Sequence, residues 1–358
     1  MYLGFSLTPF GHHPAAWRGA AEIANLGFEA LLAQVARAEQ AGLDFVLLSD
    51  RLGARPVDDL SPVATPFEPT TLVAALATRA RRIGFLAAAA THQHEPYNLA
   101  RRFASLESIS NGRTGWVAVT TGNGEDRDRE YVDLVGALWD SWEDDAFIYD
   151  KEKGRFFQPD KMHVLNHKGE HFSVRGPLNV SRSPQGKPVL AQVLTDENRA
   201  LAAHAAEIVF LQSSSPTGAE EAASDFIRSL EAADRRRDAR ILANLVPFIA
   251  ATQTEAQALH DALQAVEDIS KQPLSGAILI GTPIAIADSL QQWLEAGQID
   301  GFAILPPTLG MADLFLAEVA PELQRRGLIG RTKAGSTLRD YLNLPRPAYP
   351  AATWERAS

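Results

Sequence analysis

Short apolar runs and longer stretches of helical period alternate along this chain. Runs suited to strands fall at Tyr2–Leu7, Phe45–Leu48, Ile83–Ala88, Gly115–Val119, Pro188–Val193, Ile208–Leu211, Ile241–Ile249 and Gly301–Leu305. Between them, apolar positions recur at helical spacing over Ala30–Ala41, Thr70–Arg81, Leu99–Ser110, Arg129–Trp142, Glu197–Ala206, Ala219–Arg235, Thr254–Ser270 and Ile284–Ala296. One repeat is plain in residues 95–121. Leu99, Phe103, Leu106 and Ile109 mark a helix, Asn111-Gly112 ends it, and Trp116 to Val119 form a run covered on both faces. Eight such units predict an α/β fold, a TIM (β/α)8 barrel of parallel strands.

Two stretches interrupt the rhythm and are expected as insertions: about 143–187, rich in Gly, Pro and His, and the shorter 271–283. In such a barrel the site lies at the C-terminal ends of the strands, so both are candidate lids. The expected organisation is one domain over 1–337 and an extended tail over 338–358, a surface strap or an arm on a neighbouring subunit.

Composition narrows the classes of function. The chain has 358 residues, 46% of them hydrophobic, and a net charge of −10. Nucleic-acid binding draws on clustered cations, so no nucleic-acid partner is expected, and the paired arginines at 81–82, 101–102 and 325–326 read as solvated helix faces. Cysteine is absent, which excludes disulfides, thiolate metal sites and Cys nucleophiles. The chain opens on the strand-like YLGFSLT rather than on a leader or span, so no membrane is expected and the expected location is cytoplasmic.

Strand ends supply the candidate chemistry. Asp50 closes the second apolar run, as a functional carboxylate or as a helix cap. Thr91 and His92 follow the third, His92 as a substrate-facing acid/base or a solvated loop residue. Thr120 and Thr121 follow the fourth, where hydroxyls can bond a ring edge or a phosphate. Thr195 follows the fifth and can cap the next helix, whose amides favour an anion, although Asp196 and Glu197 compete for that place. His12 and His13 follow the first, facing substrate or buttressing Trp17. His163, His167 and His171 share a four-residue spacing, but Gly169 and HFSV argue against one helical face, and no metal is expected. GNGED at Gly122 to Asp126 reads as a turn.

Several blocks, in order, resemble one family: GHHPAAWR at Gly11–Arg18, EPYNLARRFASLESISNGRTGWVAVTT at Glu95–Thr121, LWDSWEDDA at Leu138–Ala146, VRGPLNVSRSPQGKPV at Val174–Val189 and PELQRRGLIGRT at Pro321–Thr332. Together they are similar to the luciferase-like flavin-dependent monooxygenases, in the branch with nitrilotriacetate, EDTA and dibenzothiophene-sulfone monooxygenases. The resemblance implies a bacterial-luciferase-like barrel and a two-component enzyme. Reduced FMN (FMNH2), supplied by a separate NAD(P)H:flavin reductase, would react with O2 to a C4a-peroxide that oxygenates a small organic substrate. It also implies a homodimer or higher homo-oligomer, and cofactor contacts at Asp50, Thr91, Thr120, Thr121 and Thr195, with His12 and His92 on the substrate side.

The chain departs from that family at Val117, where an Asn is usual, and near Glu125, where a Tyr is expected at the end of a longer connection that also carries a His. It departs again at Leu194 to Glu197, where a Gly- and Ser-containing phosphate loop is usual. A carboxylate at 125 repels phosphate. These departures motivate the rival reading, a non-catalytic or repurposed barrel that serves as a partner subunit or a binder of flavin or another small ligand, with a degraded FMN phosphate site.

Overall fold

A computed structural model describes residues 1–19, 27–50, 67–120, 124–266, 274–330 and 335–350. Nine parallel strands form its main sheet: β1 (Tyr2–Ser6), β2 (Phe45–Leu48), β3 (Gly84–Ala90), β4 (Thr114–Val119), β5 (Val189–Val193), β6 (Ile208–Leu211), β7 (Arg240–Ile249), β8 (Ala277–Gly281) and β9 (Gly301–Ile304). Eight of them, all but β8, close a ring in which β9 pairs back onto β1 with Tyr2 opposite Gly301. These eight are the predicted barrel strands. β8 lies within the stretch expected as an insertion at 271–283, whose first three residues fall outside the described ones. It pairs with the upper half of β7, Leu245 to Ile249.

Helices surround the ring: α1 (Phe28–Gln40), α2 (Pro69–Leu76), α3 (Pro96–Ser110), α4 (Glu125–Trp139), α5 (Arg199–Ala205), α6 (Pro216–Ala232), α7 (Gln253–Gln264) and α8 (Pro283–Glu295). After β9 come α9 (Leu309–Leu314), a π-helical turn over Phe315–Val319, α10 (Ala320–Arg325) and the short α11 (Leu338–Tyr341). Strand side chains alternate between two cores, as a period of two requires. Phe45, Leu86, Val117, Ala191, Phe210, Leu242 and Phe248 fill the barrel, whereas Trp116, Ala118, Leu190 and Val209 pack outward under the helices. The interior is tight enough at Gly4 that a Cβ there would lie 2.2 Å from the Phe45 ring.

The long insertion holds two small antiparallel ribbons, Phe147–Asp150 with Arg155–Phe157 and His167–Lys168 with Ser173–Val174. Its anchors run up the outer flank from the base to the first turns of α3 and α4: Trp142 donates to Leu178 O at 2.6 Å, Tyr97 of α3 to Pro177 O, and His167 meets Glu130 of α4 at 2.8 Å. Phe172 and Leu178 pack against the outer core, and that burial fixes the segment there. The tail is likewise no free arm. Leu338, Leu342 and Leu344 plug the base of the barrel interior, and Arg339 bridges to Glu207 and to Lys187 O. Residues 351–358 lie outside the described ones.

Candidate active site at the barrel mouth

Parallel strands point their C-terminal ends one way, so the loops after β1, β2, β3, β4, β5, β7 and β9 share one mouth. The β1 loop is shaped by Thr8, whose hydroxyl accepts from Gly11 N at 3.2 Å and lies 3.1 Å from Gly11 O. Gly11 has a φ of +122°, and a Cβ there would sit 2.2 Å from Pro307 O, so only glycine fits. His12 N and His13 N then donate to Pro306 O and Pro307 O at 2.8 and 3.0 Å, zipping this loop to the one after β9.

His13 is buried, and its Nδ1 accepts from Ala15 N at 3.1 Å, which puts its hydrogen on Nε2. Burial, and next the neighbouring His260, push its pKa below the ordinary 6.5. His260, on α7, stands edge-on to Phe248 with ring centroids 4.8 Å apart, and its Nδ1 lies 2.9 Å from Asp261 Oδ1. Leu263 of α7 and Ile278 and Ile280 of β8 pack onto the interior core, so the β7–α7–β8 unit belongs to the mouth. The His12 ring is less enclosed than that of His13.

At the β2 and β3 ends, half-buried Asp50 and exposed His92 both act on His94. Burial first, then Arg102, hold the His94 pKa low, and Asp50 opposes them. Thr91 is fully buried. Its hydroxyl donates to Asp128 Oδ1 at 2.6 Å, and its amide donates to Val119 O. Arg127 completes the knot, reaching Asp128 Oδ1 and Thr91 O at 3.2 Å each, with its guanidinium over the Phe172 ring. Tyr131 donates to His94 O at 2.8 Å, pinning the far end of the same loop, and burial pushes its phenol pKa well up. The first turn of α4 thus holds the β3 loop.

Thr120 is half-buried at the β4 end, and Thr121 lies outside the described residues. At the β5 end, Thr195 N donates to Asn198 Oδ1 at 2.9 Å, Asn198 N donates to the Thr195 hydroxyl, and Asn198 Nδ2 donates to Val193 O. Thr195 therefore steadies the turn before α5, and Arg199 pairs with Asp196. The histidines of the long insertion stay outside the mouth: His163 pairs with Glu143 and His167 with Glu130, whose carboxyl His167 holds down at about 2.

Sequence reasoning passed over Arg127, Asp128, His94, Tyr131 and His260. The only trace of the first two was the charge run EDRDRE, which also fits a solvated helix start.

A flavin asks two things of the mouth, a flat apolar wall for its ring and an anchor for its phosphate. Along the inward faces of β3, β4 and β5 it presents Ala88, Ala90, Val117, Val119 and Val193, small apolar groups suited to a flat aromatic ring. A phosphate instead needs open amides or cations; the described rim presents the exposed carboxylates of Glu125, Asp126, Asp196 and Glu197 beside the uncapped start of α5 and the guanidinium of Arg199.

Residues 5–300 match the family model described as luciferase-like monooxygenase. The chain is 36% identical over 433 aligned residues to N-acetyl-S-(2-succino)cysteine monooxygenase of Bacillus subtilis (strain 168), covering 96% of this chain and 97% of that one. It is 34% identical over 441 to nitrilotriacetate monooxygenase component A of Aminobacter aminovorans, covering 97% of each. Both alignments exceed the chain's 358 residues, so these relatives carry segments that it lacks. Among solved structures, EDTA monooxygenase from Chelativorans sp. BNC1 superposes with a TM-score of 0.85 at 28% identity, covering 98% of this chain and 99% of that one. A riboflavin lyase holding modified FMN and its substrate riboflavin superposes with 0.87 at 26% identity, covering 99% of each.

Proposed function

The chain belongs to the luciferase-like monooxygenases, flavin-dependent oxidoreductases, and from that premise we propose that it oxygenates a small organic substrate at the barrel mouth using reduced flavin from a separate reductase. The observation that carries the reading is the near full-length match, at more than a third identity, to a monooxygenase built on the same barrel. Reduced flavin supplies the oxygen activation, and the protein supplies enclosure, orientation and proton handling.

The residues divide that work. Ala88, Ala90, Val117 and Val193 form the dry wall for the ring, with Asp50, Thr120 and Thr121 as its polar contacts. Thr195 shapes the β5 turn, and Thr91 acts through Asp128 to hold the β3 loop. His12 and His92 face substrate, His13 stays neutral beneath them, and its Nε2 hydrogen is available to a substrate oxygen. The working form is a cytoplasmic homodimer or higher homo-oligomer. No described helix is long and apolar enough to cross a membrane.

The test combines purified protein with a flavin reductase, NADH and O2, and screens small organic acids, sulfides and sulfones for an oxygenated product. Substrate-dependent product supports the reading, and failure to bind any reduced flavin sinks it. The second reading, a repurposed barrel that binds without oxygenating, is favoured by the acidic rim; binding without product in the same screen would select it.

A further inference from the structure

Large apolar side chains left on a protein surface are ordinarily scattered singly, and a cluster of them marks a contact. Of the seven that are exposed among the described residues, Ile148, Tyr149 and Phe156 fall on one short element, the ribbon of Phe147–Asp150 with Arg155–Phe157. Its aromatics run outward from the core. Buried Trp142 carries Phe147 and Phe157 at 4.6 and 5.1 Å between ring centroids, and Phe156 stands edge-on to Phe147 at 5.9 Å and to Tyr149 at 4.9 Å. The outer pair, Tyr149 and Phe156, stay 59% and 61% exposed.

The ribbon is held out stiffly. Asp150 Oδ1 accepts from Glu152 N at 3.1 Å and Lys153 N at 3.0 Å, which fixes the tip, and Gln158 N donates to Ala146 O at 2.8 Å at the root. The register shifts between Phe147 and Asp150, and Tyr149 takes a φ of +50°, a crowded conformation for a side chain of its size. That bulge sets its ring beside Phe147 at 6.2 Å. Charge is divided along the ribbon. The tip carries Lys151, Lys153 and Arg155 beside Glu152. The root carries Asp145 and Asp160 beside Lys161, and Asp145 is still 72% exposed although Lys161 pairs with it. Glu143 and Asp144, also at the root, are held by His163 and by Arg182 and Arg346.

We infer that this ribbon is an isologous interface, and that its occupant is the same ribbon of a second copy of this chain, packed antiparallel about a twofold axis. Such an axis sets Tyr149 and Phe156 against their own counterparts and brings the basic tip of each ribbon to the acidic root of the other, whereas a parallel pairing would set like charges together. At about 150–250 Å² for a whole ring, the two exposed rings leave on the order of 250 Å² of apolar surface on each subunit, enough for an interface core. The charged strip supplies rim toward the roughly 800 Å² per partner of a stable contact. The inference rests on the homo-oligomer reading above, to which it gives a surface, and is independent of flavin.

The test is sedimentation velocity on the full chain and on Tyr149→Ser/Phe156→Ser. The wild type should sediment as a dimer or larger. The variant should associate about thirtyfold more weakly for each ring removed, with unchanged far-UV circular dichroism and urea midpoint, because both rings are exposed. Lys151→Glu/Lys153→Glu and Asp145→Lys/Asp160→Lys should each weaken association, and all four changes on one chain should restore it. Failure of the combined variant to recover overturns the tip-to-root arrangement. An oligomeric wild type whose aromatic variant keeps the same mass overturns the interface and leaves the homo-oligomer reading standing, and a monomeric wild type overturns both. An aromatic variant that keeps its mass but loses turnover with the flavin reductase assigns the ribbon to that protein instead, and the inference falls.

Discussion

Replacing Asp128 with alanine tests whether the first turn of α4 holds the β3 loop in place. The change deletes the 2.6 Å bond from the Thr91 hydroxyl, between two groups that are almost fully buried, and hydrogen bonds to a charged partner contribute about 1.5–3 kcal/mol. The Thr91 hydroxyl keeps only a long contact to Val119 O at 3.4 Å. The Arg127 pair adds little, about 0–1 kcal/mol, because its guanidinium is a third exposed. The expected loss is about 2–4 kcal/mol, read as a lower urea midpoint at unchanged slope. Asp128→Asn should cost less than half of this, because an amide oxygen still accepts from Thr91. A cycle with Thr91→Val should be strongly non-additive, since each single change removes the same bond. The β3 loop carries His92, so flavin or substrate affinity should fall in Asp128→Ala before the global fold is lost. A loss below about 0.5 kcal/mol, or additive singles, would refute the idea that Asp128 and Thr91 act as one unit.

Other expectations follow from the same geometry. Gly11→Ala should cost about 3 kcal/mol or more and weaken ligand binding, because the new Cβ would meet Pro307 O at 2.2 Å on a backbone at φ +122°; a full-affinity, stable variant counts against the zipped β1 and β9 loops. Glu107 is wholly buried and accepts from Thr114 N, the Thr114 and Ser183 hydroxyls and Gln185 Nε2, yet burial still raises its pKa. Its stabilising contribution is therefore fully present at low pH and declines as pH rises above 4.5 through the raised value. Glu107→Ala should cost about 3–5 kcal/mol by leaving Thr114 N and one of the two Gln185 Nε2 hydrogens unpaired, the other still donating to Thr114 O, whereas in Glu107→Gln the Ser183 hydroxyl can turn and accept, holding the loss to about 1 kcal/mol and flattening that pH dependence. His13 has the opposite sign: its pKa is lowered in the fold, so stability is lost as pH falls below 6.5 toward the folded value. Denaturation midpoints between about pH 5 and 8 should slope less in His13→Asn, and an unchanged slope would show that His13 is not kept neutral.

The eight barrel strands were legible because each is buried on both faces and reads as an apolar run, interrupted within only at Gln192 of β5 and Asn244 of β7. β8 was not: Ala277–Gly281 is five residues long and buried fully only at its two ends, and a short run beside Gly and Pro is ambiguous. The helix expected from Arg129 begins at Glu125 because its first turn carries charge suited to the helix dipole rather than an apolar period. In the tail, the prolines suggested an extended strap, while the i, i+4 pair Leu338 and Leu342 was the overlooked sign of burial. At the site, positions followed from strand ends, but partnerships did not. Nothing local marks Asp128 as buried, since the hydroxyl that explains it lies 37 residues earlier. Likewise, His260 gains meaning only when β7 brings Phe248 beside it and the β1 loop places His13 nearby.

The closure of the ring sets a schedule for the chain's birth. β1 leaves the ribosome first, yet its second partner, β9, lies some three hundred residues later, and the leucines that plug the barrel base come later still. Until then, β1 has only β2 on one edge, and the interior residues Phe45, Leu86, Phe210 and Leu242 lack their floor. Contacts of such long sequence separation form slowly, and exposed strand edges and apolar surface in waiting intermediates favour aggregation. A stalled or shortened chain that stops before Leu338 would therefore carry a nearly complete wall around an open bottom, making the nascent protein a client for chaperones and the finished one a late, all-at-once event.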